Sequence, residues 1–272
     1  MPFATEVRAE VLRLSRPDTR WLTTGFGGGY RTAPAAYNVT VPAGFDRTDL
    51  HAYLRERRQE AGFDADGPGL LTGVAMEHAR GARAGPVVAV ATAGVSNPAA
   101  LPVGETTDRR RRRDDRQMAR DDHRATHDDT APHHDSTEPH GTVNVLVGTT
   151  RALDEGALAS LLGVAVEAKT ATLLARTGFP GTTSDAVIVG TATDGDPATF
   201  AGSATAVGGA ARACVRAAVD ASLDARYVGT DAAVPAGVAD AEHGVVTDER
   251  ATRFDPATRE KPTTDRFGTD AT

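Results

Sequence analysis

The sequence predicts an α/β fold: a single domain with a mixed β-sheet and packed helices, interrupted by a disordered charged insertion. Three observations lead there. Short β-branched runs alternate with longer stretches of helical periodicity. The 272 residues, 40% of them apolar, supply enough volume for one core. Between residues 105 and 139 Val, Leu, Ile and the aromatics are absent, so that stretch cannot join the core.

Val7, Ala9 and Val11 alternate with charged residues and predict a first strand. Trp21-Leu22-Thr23 leads into a glycine run, Thr24-Gly25-Phe26-Gly27-Gly28-Gly29-Tyr30. That run suits either a turn between strands or a loop whose N–H groups approach a ligand. It is neither a Walker loop nor a dinucleotide fingerprint, because Tyr30 stands where a glycine would be needed and no Gly-Lys-Ser/Thr follows. A short β-branched run at 37–41 predicts the next strand. A helix is predicted over 46–61, capped by Asp46, with Leu50, Tyr53 and Leu54 on its apolar side and Gly62 as its stop. Strands are predicted at 87–93, 142–147 and 185–191. Two further helices follow the same logic, over 154–176, ending before Gly178 and Pro180, and over 205–224. The last carries Val207, Ala211, Cys214 or Val215, Ala218 and Leu223 on one stripe.

The folded domain is expected to comprise residues 1–104 and 140–230. The insertion, 105–139, carries 10 acidic and 8 basic residues, including five consecutive arginines, Arg109 to Arg113. Its ordering entropy finds no apolar burial to offset it. Residues 231–272 read as a polar, flexible tail. Five histidines, His123, His127, His133, His134 and His140, lie in or beside the insertion, but no apolar framework would hold them in a metal geometry, and no metal site is expected.

A formal charge of −7 argues against a general nucleic-acid binder. The single cysteine, Cys214, excludes an internal disulfide and a cysteine-rich zinc site. No apolar run approaches the roughly 20 residues that cross a bilayer, and the N-terminus mixes charges unlike a signal peptide, so a cytoplasmic protein is expected. Only two of the 30 basic residues are lysines, Lys169 and Lys261; an Asp-rich, Lys-poor surface is typical of proteins that work in concentrated salt.

Lys169 therefore stands out. With Glu167 it interrupts a helix otherwise made of small and apolar residues, where a charge needs a partner or a polar pocket. Asn97 and Asn144 lie at the ends of apolar strands, suited either to capping turns or to polarising a carbonyl. Asp185 follows three hydroxyls, Thr182, Thr183 and Ser184, immediately before a strand, placed to cap a turn or to act on a substrate.

In order, the chain shows Leu22-Thr23-Thr24-Gly25-Phe26-Gly27-Gly28-Gly29, Tyr37-Asn38, Thr92-Ala93-Gly94-Val95-Ser96-Asn97, Gly141-Thr142-Val143-Asn144, Glu167-Ala168-Lys169-Thr170-Ala171, Ser184-Asp185-Ala186, and Phe200-Ala201-Gly202 followed by Gly208. The series resembles the adenosylcobinamide amidohydrolase (CbiZ) family, as a haloarchaeal-type member. The resemblance spans most of residues 20–215 and skips the insertion. It implies hydrolysis of the amide joining the aminopropanol arm to the corrin ring of adenosylcobinamide, with a small-molecule corrinoid as partner, no cofactor, and no nucleic acid or membrane. The family pattern has Gly-Thr-Gly-Thr-Asp where this chain has Gly181-Thr182-Thr183-Ser184-Asp185, and a His near the position of Ala204.

Under that resemblance, the catalytic candidates are Glu167 or Asp185 as general base, Asn97 and Asn144 on the carbonyl, and Lys169 beside a carboxylate or the leaving amine. A Thr182 or Thr183 nucleophile is the alternative. Thr24, Gly25, Gly27, Gly28, Asn38, Ser96, Thr182 and Thr183 are expected to bind substrate. A corrinoid- or nucleotide-binding protein without hydrolytic activity is the competing reading.

Overall fold

The computed structural model describes residues 1–102 and 141–256. The expected insertion, and the tail beyond residue 256, lie outside the described residues.

The chain opens with a hairpin, β1 (Ala4–Arg8) and β2 (Val11–Ser15), where one strand was expected. Ala9 and Glu10 both take positive φ, 45° and 61°, as a two-residue turn between right-twisted strands requires. The alternation of Val7, Ala9 and Val11 therefore crosses a turn. β3 (Thr19–Thr23) and β4 (Gly29–Thr32) form a second hairpin, with the glycine run as its connection. β5 (Ala35–Thr40) and β6 (Gly69–Thr72) pair in parallel around α1 (Leu50–Glu60). Asp49, not Asp46, caps α1, accepting from the Ala52 N–H at 2.9 Å.

β7 (Arg80–Ala84) and β8 (Val87–Ala93) are antiparallel, and β9 (Pro98–Ala100) follows. After residue 141 come β10 (Val143–Thr149), α2 (Glu155–Thr177), β11 (Gly181–Thr182), β12 (Ala186–Ala192) and α3 (Ala206–Tyr227). Asp154 and Thr205 cap the two long helices, and Gly178, at φ +77°, ends α2. In the region expected to be a tail, β13 (Val245–Val246) adds a parallel edge to β9.

The strands form a central six-stranded sheet, β4-β3-β12-β10-β8-β7, a four-stranded sheet, β1-β2-β5-β6, and a small sheet, β11-β9-β13. The two larger sheets stack, with helices on both outer faces. Strand alternation divides the cores. Val143, Val145, Val147, Val187 and Val189 face α2 and α3. Leu146, Ile188 and Val88 face the other way, onto Phe3, Leu14, Trp21 and Leu70. Tyr37 and Val39 of β5 turn outward to Tyr53 and Leu54 of α1.

α2 is, by length and composition, apolar enough to cross a membrane, a property the residue-by-residue reading missed. In the fold it is a core helix: Leu158, Leu161, Ala165 and Leu173 are buried against the central sheet. Gly190 in β12 marks how closely the layers approach. A Cβ there would lie 2.4 Å from the Trp21 ring. Gly190→Ala is expected to cost about 1–3 kcal/mol, read as a lower urea midpoint at unchanged m-value.

Candidate active site

β10 and β12 run parallel, and β8 runs antiparallel to β10 with Ala93 opposite Val143. That register forces the segment after β8 and the segments before β10 and β12 to one end of the central sheet. Residues 94–97, 141–142 and 181–185 meet there, and the small sheet ties two of them together, Thr182 opposite Pro98. Gly94 and Gly141 allow the approach, since a Cβ on Gly141 would lie 2.7 Å from the Gly94 carbonyl carbon.

At the centre is Asp185, its side chain 10% exposed. It accepts from the Val143 N–H at 2.9 Å and the Thr182 N–H at 3.1 Å. It also takes a hydrogen bond from the Thr182 hydroxyl and an ion pair from Lys169 Nζ. A carboxylate offers about four acceptor positions, so all of them are used. Lys169, its side chain 7% exposed, reaches this carboxylate from the buried face of α2 among Ala165, Ala168, Thr172 and Leu173. Gly181 leaves the pair its space: a Cβ there would come within 2.7 Å of Asp185 Oδ2 and 3.5 Å of Lys169 Nζ.

Asn97 continues the cluster. Its Nδ2 donates to Thr183 Oγ1 at 2.6 Å, and its backbone carbonyl accepts from the Thr183 N–H at 3.2 Å. Its Oδ1 is buried with no partner among the described residues. Ser96 Oγ accepts from the Gly141 N–H at 2.6 Å. Thr24 joins the glycine loop to the same end of the sheet, its Oγ1 accepting from the Val187 N–H at 2.9 Å. Gly25 donates to Thr23 Oγ1 at 3.0 Å, and Gly28 would meet the Thr23 carbonyl oxygen at 3.1 Å if it carried a Cβ. Gly27 sits against His51 at φ +64°.

Three expectations change. Glu167 is not buried: its side chain is 63% exposed and pairs with Arg212 of α3 at 3.0 Å. Two residues on a helix turn the chain by about 200°, so Glu167 and Lys169 occupy opposite sides of α2. Asn144 and Asn38 are fully buried between the two larger sheets. Asn144 Nδ2 donates to Asn38 Oδ1 at 2.9 Å and to the Leu71 carbonyl at 2.8 Å, and Asn38 Nδ2 donates to Thr92 Oγ1 at 2.9 Å. They form an interior polar chain behind the site rather than a wall of it. Cys214, as its place on the apolar stripe predicts, lies in the α3 core, where burial pushes its thiol pKa up.

Sequence reasoning did not assign roles to Thr142 and Ser184, whose hydroxyls lie 2.8 Å apart beside the cluster. Thr142 also lines a cavity of about 180 Å³ between residues 41–45 and 71–73. Tyr227, whose hydroxyl accepts from the Val95 N–H at 2.9 Å, carried no local signal at 132 residues' separation. Among the described residues, no three His, Cys, Asp or Glu side chains converge as a metal cage would require.

A family model described as adenosylcobinamide amidohydrolase matches residues 4–230. A protein of Halobacterium salinarum named adenosylcobinamide amidohydrolase is 49% identical over 260 residues, covering 93% of this chain and the whole of that one. A Methanosarcina mazei protein of the same name is 28% identical over 219 residues, covering 77% of this chain and 92% of that one.

Proposed function

The chain belongs to the adenosylcobinamide amidohydrolase family, and from that membership we propose how its own residues divide the work. The reaction is hydrolysis of the amide between the aminopropanol arm and the corrin ring, giving adenosylcobyric acid and 1-amino-2-propanol in corrinoid salvage. Its setting, in our reading, is the cytoplasm of a salt-adapted cell, a reading supported by the Asp-rich, Lys-poor composition.

Amide hydrolysis needs a nucleophile, stabilisation of the oxyanion and a proton for the departing amine. One observation carries the assignment: the four acceptor positions of Asp185 are filled, and the only neutral side-chain donor among the four is the Thr182 hydroxyl. Asp185 has no free lone pair for a water, but it is placed to take the Thr182 proton. Thr182 Oγ bonds to the amide carbon as its proton passes to Asp185. Asn97 Nδ2, with one hydrogen spent on Thr183, offers the other to the oxyanion. The C–N bond breaks as Lys169 gives a proton to the amine, and Asp185 returns its proton to Lys169. Water then cleaves the Thr182 ester, releasing the acid and restoring the hydroxyl. Glu167, on the opposite side of α2 and paired with Arg212 of α3, stands outside this relay.

The test incubates the purified chain with adenosylcobinamide in high salt and measures adenosylcobyric acid and free aminopropanol. Thr182→Val is expected to abolish turnover, and quenched wild-type enzyme to carry the corrinoid acyl group on the Thr182 peptide by mass spectrometry. Glu167→Gln is expected to stay within about twofold of wild type, as a surface charge should. Full turnover by Thr182→Val sinks the nucleophile. Binding without product in the wild type favours the non-catalytic reading.

A further inference from the structure

α1 carries His51, Arg55 and Arg58 at spacings of four and three, which puts them on one face. β4 brings Arg31 opposite them, and the turn after α1 brings Asp66 and Gly67. These six residues line most of a cavity of about 280 Å³ that shares no residue with the hydrolytic cluster. Three guanidinium groups thus face one carboxylate in a chain whose formal charge is −7, a local reversal of sign.

Asp66 does not use up that positive charge. It pairs with Arg31 and, at 2.6 Å, with Arg58 Nη1. Burial pushes its carboxyl pKa up, but the hydrogen bonds from Arg58 and the Gly67 N–H and the charge of Arg31 outweigh it, so the carboxylate titrates below its ordinary range. Arg58 is 7% exposed, and its guanidinium is held in place through Nη1 by Asp66. Arg55 makes no ion pair or hydrogen bond among the described residues, and the His51 ring makes only an edge contact with Phe26, at 5.2 Å between centroids.

We propose that this cavity binds a phosphate group, with Arg55 and His51 as its donors and the charges of Arg31 and Arg58 beside them. Guanidinium planes match phosphate oxygens in geometry as well as charge. Gly27 lies beside His51: at φ +64° it leaves the space the imidazole occupies, where a Cβ would lie 2.5 Å from the ring. Two sources share this chemistry, free inorganic phosphate and a phosphomonoester on the hydroxyl arm of a corrinoid. The site itself does not depend on the hydrolytic reading.

The experiment titrates the full chain with inorganic phosphate, at ionic strength held constant with potassium chloride, and follows the thermal midpoint. Arg55→Ala and His51→Ala, both at exposed positions, are measured beside the wild type. A saturable rise in Tm for the wild type is expected, with apparent affinity about tenfold weaker or worse in Arg55→Ala. In a second arm, adenosylcobinamide and its arm-phosphorylated form are compared as substrates. A lower KM for the phosphorylated form that disappears in Arg55→Ala, with adenosylcobinamide turnover unchanged, assigns the phosphate to the substrate. Stabilisation without a KM difference assigns it to free phosphate. An equal response to phosphate and chloride, or an unchanged response in both variants, overturns the site. A normal phosphate response in a chain that hydrolyses neither corrinoid leaves this site standing and removes the hydrolytic reading instead.

Discussion

Asp185→Asn is expected to lower kcat for adenosylcobinamide by about a thousandfold while moving KM only a few-fold. The substitution keeps the shape of the side chain and replaces one acceptor oxygen by a donor. Val143 N–H, Thr182 N–H, the Thr182 hydroxyl and Lys169 Nζ all point at this group as donors, two on each oxygen, so whichever way the amide turns, two of them meet an NH₂. The Thr182 proton loses its destination, and Lys169 loses the charge that holds it. Because substrate contacts lie outside the carboxylate, the loss belongs in kcat. The measurement is steady-state release of aminopropanol by the variant, with circular dichroism as the folding control. A folded Asp185→Asn enzyme that keeps more than a tenth of wild-type kcat places the base elsewhere.

The same residues show how far the sequence reaches. The strands at 87–93, 142–147 and 185–191 were legible because they lie in the central sheet, buried on both faces, and such strands read as unbroken apolar runs. β7 and β4, on the edges of the same sheet, are short and largely exposed, and nothing in their composition separates them from loop. The β1–β2 hairpin was hidden because Ala9 and Glu10 are ordinary residues held at positive φ, where Asn or Gly would have announced the turn.

Lys169 and Asp185 were each visible as anomalies, a lysine in a chain almost without them and an acid before a strand. Their contact was not, since it depends on which face of α2 meets the sheet. Helical periodicity did distinguish Glu167 from Lys169 by angle. It could not say which side was the interior, because large apolar residues lie on both: Val166 and Leu174 are exposed while Leu161 and Leu173 are buried. Asn144 presents the complementary case: strand alternation puts it opposite Val143 and Val145, but only the second sheet, packed across it, makes that side interior.

Lys169→Met is expected to produce the largest stability loss of any substitution considered, about 3–5 kcal/mol, because it leaves the Asp185 charge buried without its cation. Asp185 retains two backbone N–H donors and the Thr182 hydroxyl, which orient it but carry no net charge to offset its own. The double variant Lys169→Met, Asp185→Asn removes both charges, and it is expected to be more stable than Lys169→Met alone by at least about 1 kcal/mol in urea unfolding. Activity should behave differently. If Lys169 and Asp185 pass one proton between Thr182 and the leaving amine, removing either breaks the relay, and the double variant turns over no more slowly than the worse single. A merely structural pair predicts the reverse, with turnover recovering as stability does. Stability regained without activity is therefore the expected result; parallel recovery of both would make the pair a clamp between α2 and the sheet and return the proton transfers to other groups.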